Sequence, residues 1–69
     1  MLTATEIAEM SRKVHNGRGR IVEGIQDAEK FIAKEMAYSE HLRNVAYLDG
    51  LKAHRAKMIE VICLIDLQV

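Results

Sequence analysis

Sixty-nine residues allow one small domain, spanning 1–69, and a chain this short struggles to bury enough surface to offset its conformational entropy. A single cysteine excludes an intrachain disulfide and no Cys/His cluster offers zinc, which leaves oligomerisation, suited by an apolar fraction of 49% and the absence of proline. A formal net charge of zero gives no global attraction to nucleic acid or to a membrane surface.

Residues 3–15 predict a first helix. Thr3 and Glu6 have the spacing of a capping box, in which each side chain satisfies a free backbone N–H of the other residue. Ile7, Met10 and Val14 fall on one face, with Glu6 and Glu9 near the positive end of the helix dipole and Arg12, Lys13 and His15 near the negative end. Asn16-Gly17-Arg18-Gly19 ends the helix, since Asn16 or Gly17 can take the left-handed conformation that closes a helix C-terminus.

Residues 20–48 predict one long second helix. Phe31, Tyr38 and Val45 are seven apart, as are Ile25, Ile32, Ser39 and Ala46. A repeat held at seven favours a left-handed supercoil with a partner helix. Such a rod would be about 43 Å long at 1.5 Å per residue, against a diameter near ~28 Å for a compact globule of this chain length. Asp49-Gly50 is read as the following turn, the competing reading being one unbroken helix through Gly50 at about 1 kcal/mol relative to alanine.

Residues 51–67 predict a third helix. Leu48, Leu51, Met58, Ile62 and Ile65 keep a seam at steps of three and four, and from Met58 onward only Glu60, Asp66 and Gln68 interrupt the apolar run. A helix apolar nearly all round is normally buried on several sides, more than one antiparallel neighbour can cover. The β-branched content also permits a strand over 59–65, although no second strand is evident to pair with it. The expected architecture is therefore all-α: a helical hairpin or three-helix unit pairing into a homodimeric bundle, with Ile25, Ile32, Leu51, Met58, Ile62 and Ile65 in its core and interface.

Catalytic chemistry finds no constellation in the sequence. His15, His41 and His54 come from different segments, with no second His or Cys at ligand spacing, and read as exposed helix-face residues without a metal. Cys63, in the most apolar stretch, reads as a buried inert thiol. Gly17-x-Gly19 lacks the preceding strand and third glycine of a dinucleotide loop. No cofactor is expected.

The strongest local charge feature is basic: residues 12–20 carry Arg12, Lys13, Arg18 and Arg20 and no acid. These side chains suit three roles: complementing a helix dipole, docking an acidic protein surface, or holding nucleic-acid phosphates. A groove-reading version of the last is poor, because the second helix is far too long for a recognition helix. Tyr38 and Tyr47 are the only tyrosines, and tyrosine and arginine are the usual anchors of protein interfaces. Arg12, Arg18, Arg20, Tyr38 and Tyr47 are thus the candidate partner-binding residues.

In length, in all-helical character without catalytic residues, and in its MLTATEIAEM…HNGRGRIVEGI…AYLDGL layout, the chain resembles the small early proteins that phages make to bind and disable host proteins. Within that group it is similar, over its whole length, to Pseudomonas phage anti-activators of quorum sensing. The resemblance implies binding to a LuxR-type transcription regulator and blocking of its attachment to DNA, with a pilus-assembly ATPase as a second target. The reading is a non-enzymatic, dimeric inhibitor that occupies another protein's surface; the alternative is a small nucleic-acid-binding protein using residues 12–20. The N-terminus lacks a basic region followed by an apolar run, and no segment approaches the ~18 apolar residues of a membrane span. The expected setting is accordingly cytoplasmic, in the host bacterium if the protein is phage-encoded, with no membrane partner.

Overall fold

A computed structural model describes residues 2–67. Its regular elements are all helical: α1 (Ala4–Arg12), α2 (Gly17–Met36), a single 3-10 turn at Glu40–Leu42, and α3 (Val45–Asp66). The described residues contain no strand, and 59–65, for which a strand was an alternative, lies within α3.

The start of α1 follows its local chemistry. Thr3 Oγ1 accepts from the Glu6 N–H at 3.2 Å, and the Glu6 carboxylate accepts from the Thr3 N–H at 3.2 Å, completing both arms of the capping box. The helix stops at Arg12, short of the expected residue 15, because its last turn tightens. The Lys13 N–H bonds the Met10 carbonyl and the Val14 N–H bonds that of Ser11. Asn16 then takes the left-handed conformation, with φ 54° and ψ 34°. Gly17 serves a different need. A Cβ there would lie 2.0 Å from the Ser11 carbonyl oxygen, so only glycine lets α2 begin against the last turn of α1.

The long helix expected over 20–48 is two helices. α2 ends at Met36, and α3 starts at Val45 and runs through Gly50, so the turn expected at Asp49-Gly50 lies earlier in the chain, over 37–44. Polar side chains in the break replace the helical ladder. Arg43 donates to the carbonyls of Tyr38 and Met36, both at 3.0 Å, satisfying groups that a helix end leaves open. Glu35 Oε2 accepts from the Asn44 N–H at 3.0 Å, and Asn44 Oδ1 accepts from the Tyr47 N–H at 3.0 Å, which makes Asn44 the N-cap of α3. Gly50 sits inside α3 with a helical φ and open space around it.

The break lets α3 fold back antiparallel along α2, while α1 lies over the C-terminal half of α3. Lys57 Nζ donates to the Leu2 carbonyl at 2.6 Å and Arg12 to the Leu64 carbonyl at 3.0 Å, so α1 runs parallel to α3. Between the three helices Ala8, Met58 and Val61 are buried, with Ile7, Ile21, Ile25, Leu64 and Ile65 packed around them. Ala28 and Leu48 are buried further along the hairpin. Of the predicted core, Met58 is buried, and Ile25, Ile32, Leu51, Ile62 and Ile65 are half-buried. Cys63 is exposed, contrary to the buried thiol expected: it stands two residues beyond Val61, about 200° around the helix from the core. The apolar end of α3 is thus covered on two sides by α1 and α2 of its own chain. The molecule measures 44 × 21 × 16 Å, with a radius of gyration of 13.9 Å against about 11 Å for a compact chain of this length.

Candidate functional site

At the hairpin bend three aromatic side chains meet in one shallow cleft. Phe31, Lys34, Glu35 and Tyr38 form one stripe of α2 and its C-terminal turn, and Tyr47 enters from the first turn of α3. The rings remain accessible: Phe31 is 50% exposed, Tyr38 49% and Tyr47 45%. Met36, Leu42 and Val45 are also exposed within the same 31–47 stretch. The surface is held in place by the bonds that make the bend. Arg43 fixes the Tyr38 carbonyl, Asn44 fixes the Tyr47 N–H, and Glu35 lining the cleft ties the two helix ends together through Asn44. Aromatic rings on such a scaffold offer large contact area with few rotatable bonds, and the phenol hydroxyls supply polar ends.

The five residues singled out for partner binding fall into two separate groups. Tyr38 and Tyr47 come together at the bend, whereas Arg12, Arg18 and Arg20 lie at the opposite end of α2. Residue 18 is about 27 Å from residue 36 along a helix rising 1.5 Å per residue. Two of the arginines are engaged within the chain. Arg12 donates to the Leu64 carbonyl, and the Arg18 guanidinium forks onto both carboxylate oxygens of Asp66, at 2.9 and 3.0 Å. The hydrogen bonds from Arg18 hold the Asp66 carboxyl below its usual range and raise the arginine in turn. Both partners are half exposed, so solvent screens the pair. Arg20 has no ion pair among the described residues and lines an apolar groove between α1 and α2.

Sequence reasoning passed over Phe31 as a site residue, although its place seven before Tyr38 puts both on one row of a helix. It also passed over Arg43 and Asn44. Asn44, directly before Val45-Ala46-Tyr47, carries a readable N-cap signal; the reach of Arg43 back to two carbonyls has no such signature.

Elsewhere, Arg55 and Glu29 pair across α2 and α3 at 3.3 Å beside Lys52. His15, His41 and His54 are exposed, and among the described residues no cluster of His, Cys, Asp or Glu has the arrangement of a metal site. Among the same residues no helix is long and apolar enough to cross a membrane. Comparison with protein families, curated proteins and solved structures finds no match to the chain.

Proposed function

We propose that the protein is a non-enzymatic binding protein that forms a homodimer and inhibits another protein by occupying its surface with the aromatic bend. The observation that carries this reading is the cleft of Phe31, Tyr38 and Tyr47, about half exposed and braced by Arg43, Asn44 and Glu35. Rings kept out of the core at that point leave apolar area that a partner would cover. The resemblance noted from the sequence supplies the target class: a LuxR-type transcription regulator kept from its DNA, with a pilus-assembly ATPase as a second target.

Total surface supports self-association. The chain exposes 5159 Å², where a compact monomer of 7.8 kDa exposes roughly 4,400 Å². The surplus of about 800 Å² is the area one partner contributes to a standard protein–protein interface. The nucleic-acid reading of residues 12–20 loses support, since Arg12 and Arg18 are engaged with the end of α3.

The test is a DNA-retardation assay with a purified LuxR-type regulator on its operator. Added protein should release the operator without itself retarding DNA, and Tyr38→Ala/Tyr47→Ala should lose that effect while keeping its helicity. Retardation of DNA by the protein alone, weakening steeply with salt, would instead support the nucleic-acid reading.

A further inference from the structure

We infer that the aromatic bend is one end of a longer groove, on the α1 side of the α2–α3 hairpin, that takes an amphipathic helix of the target protein. This rests on the reading of the bend as a protein-binding surface, and adds the rest of the surface and the shape of what fits it.

A second cleft, of about 310 Å³, lies between α2 and α3, walled by Gly24, Asp27, Phe31, Leu51 and His54 over a floor that includes buried Ala28. Phe31 also lines the cleft at the bend, so the two are continuous. Helical periodicity places both on the face that α1 covers. On α2, Ile21 packs against the core beneath α1, and Gly24, Ala28, Phe31 and Tyr38 continue its row at steps of three, four, three and seven. On α3, Met58 and Val61 cluster with Ala8 of α1, and His54, Leu51 and Tyr47 precede Met58 on the same row. The leading end of α1 stops at Lys57, whose Nζ donates to the Leu2 carbonyl at 2.6 Å. The hairpin groove is thus covered by a helix from Lys57 onward and is open from His54 to the bend. Beside α2 the open stretch, from Gly24 to Met36, is about 18 Å long, the length of a helix of about 12 residues.

Three features fix the occupant. The chain's own cover for this groove, α1, is a helix with an apolar face, and the open part has the same two helices as walls. Nothing lies within 4 Å of a Cβ built on Gly24, so a partner backbone can approach α2 closely there. Apart from His54, the titratable groups of the lining that carry charge are Asp27, Lys34 and Glu35. Glu35 is tied to the Asn44 N–H, and neither Asp27 nor Lys34 has an ion pair among the described residues. Two acids against one lysine favour a basic residue beside the apolar stripe of the incoming helix, opposite Asp27 at the end away from the bend. The mode is a helix laid in an apolar groove, read through anchors at i, i+3 or i+4, and i+7.

Fluorescence anisotropy tests this with a labelled helical peptide of about 14 residues, with leucine at i, i+4, i+7 and i+11 and lysine flanking that stripe. Wild type should bind it, and should not bind a scrambled peptide of the same composition. Gly24→Gln should keep its helicity and raise Tm, since glutamine is the better helix former, yet weaken binding about tenfold or more by filling the groove. Ala33→Gln lies nine residues on, at the opposite face of α2, and should bind as wild type. Asp27→Lys should prefer the same peptide with glutamate in place of lysine, which decides the matter should Gly24→Gln lose helicity. No binding by wild type, equal binding of the scrambled peptide, loss with Ala33→Gln, or an unchanged preference with Asp27→Lys would each overturn the groove. So would a wild-type dimer that Gly24→Gln turns into a monomer, since the occupant would then be a second copy. The operator-release assay separates this from the reading beneath it. Release by wild type and Gly24→Gln alike would overturn the groove and keep the bend; no release by wild type, with peptide binding intact, would defeat the regulator as target and keep the groove.

Discussion

Replacing Gly50 with alanine distinguishes the two ways of reading the middle of this chain. In the structure Gly50 lies in α3 with a helical φ, and a Cβ added to it meets nothing within 4 Å. Packing therefore contributes nothing to the change, and the backbone term stands alone. Alanine in a helix interior is more favourable than glycine by about 0.8–1.0 kcal/mol. For a domain of 60–100 residues, a stabilisation of about 1 kcal/mol raises Tm by about 4–8 °C. Were Gly50 instead the left-handed residue of a turn, alanine would cost roughly 1–2 kcal/mol, and Tm would fall. The two readings thus differ in sign. Thermal melts followed by far-UV circular dichroism measure the shift, with Gly24→Ala as a second open helical site expected to move the same way. A fall in Tm for Gly50→Ala with a rise for Gly24→Ala would refute a continuous α3.

Gly17→Ala should behave oppositely: its Cβ would strike the Ser11 carbonyl oxygen, part of the backbone of α1, and destabilisation of about 1–3 kcal/mol is expected in a denaturant titration. The Arg18–Asp66 fork predicts a pH dependence. The Asp66 carboxyl is depressed in the folded state by hydrogen bonds from Arg18, so its contribution is present above the unfolded value of about 3.9 and is lost as pH falls through the folded value. Acid titration of Asp66→Asn should accordingly show a shallower loss of stability below about pH 4 than wild type.

Local chemistry made part of the fold legible. The Thr3/Glu6 box lies within a few residues of sequence and folded as read, and Asn16 takes the left-handed conformation expected of Asn16 or Gly17, although α2 begins at Gly17 and not after Gly19. The break at 37–44 did not show in the periodicity, because Phe31, Tyr38 and Val45 hold a seven-residue spacing straight through it. What decides it are side chains reaching across the bend, from Arg43 to Met36 and from Glu35 to Asn44. The same seven-residue spacing conceals the aromatic cleft. On one unbroken helix Tyr38 and Tyr47, nine residues apart, would point to opposite faces at about 100° per residue; the bend brings them into one cleft. Arg18 and Asp66 are 48 residues apart, and nothing in a basic run announces a partner at the far end of the chain. The apolar run from Met58 correctly implied cover on more than one side, but α1 supplies part of it, and exposed apolar side chains remain on α1, at the bend, and at Ile59 and Leu67 of α3 and its C-cap.

The central claim, that this protein acts by gripping another protein with its aromatic bend, is tested most directly by capture from nuclease-treated bacterial lysate. Immobilised wild type is compared with Tyr38→Ala/Tyr47→Ala, both checked for equal helicity and equal sedimentation. Truncated aromatic anchors commonly cost about 2 kcal/mol or more, roughly thirtyfold in affinity. Wild type should retain a discrete protein that resists nuclease and moderate salt, and the double variant should lose it. Equal retention by both, or retention that nuclease abolishes, would contradict the account.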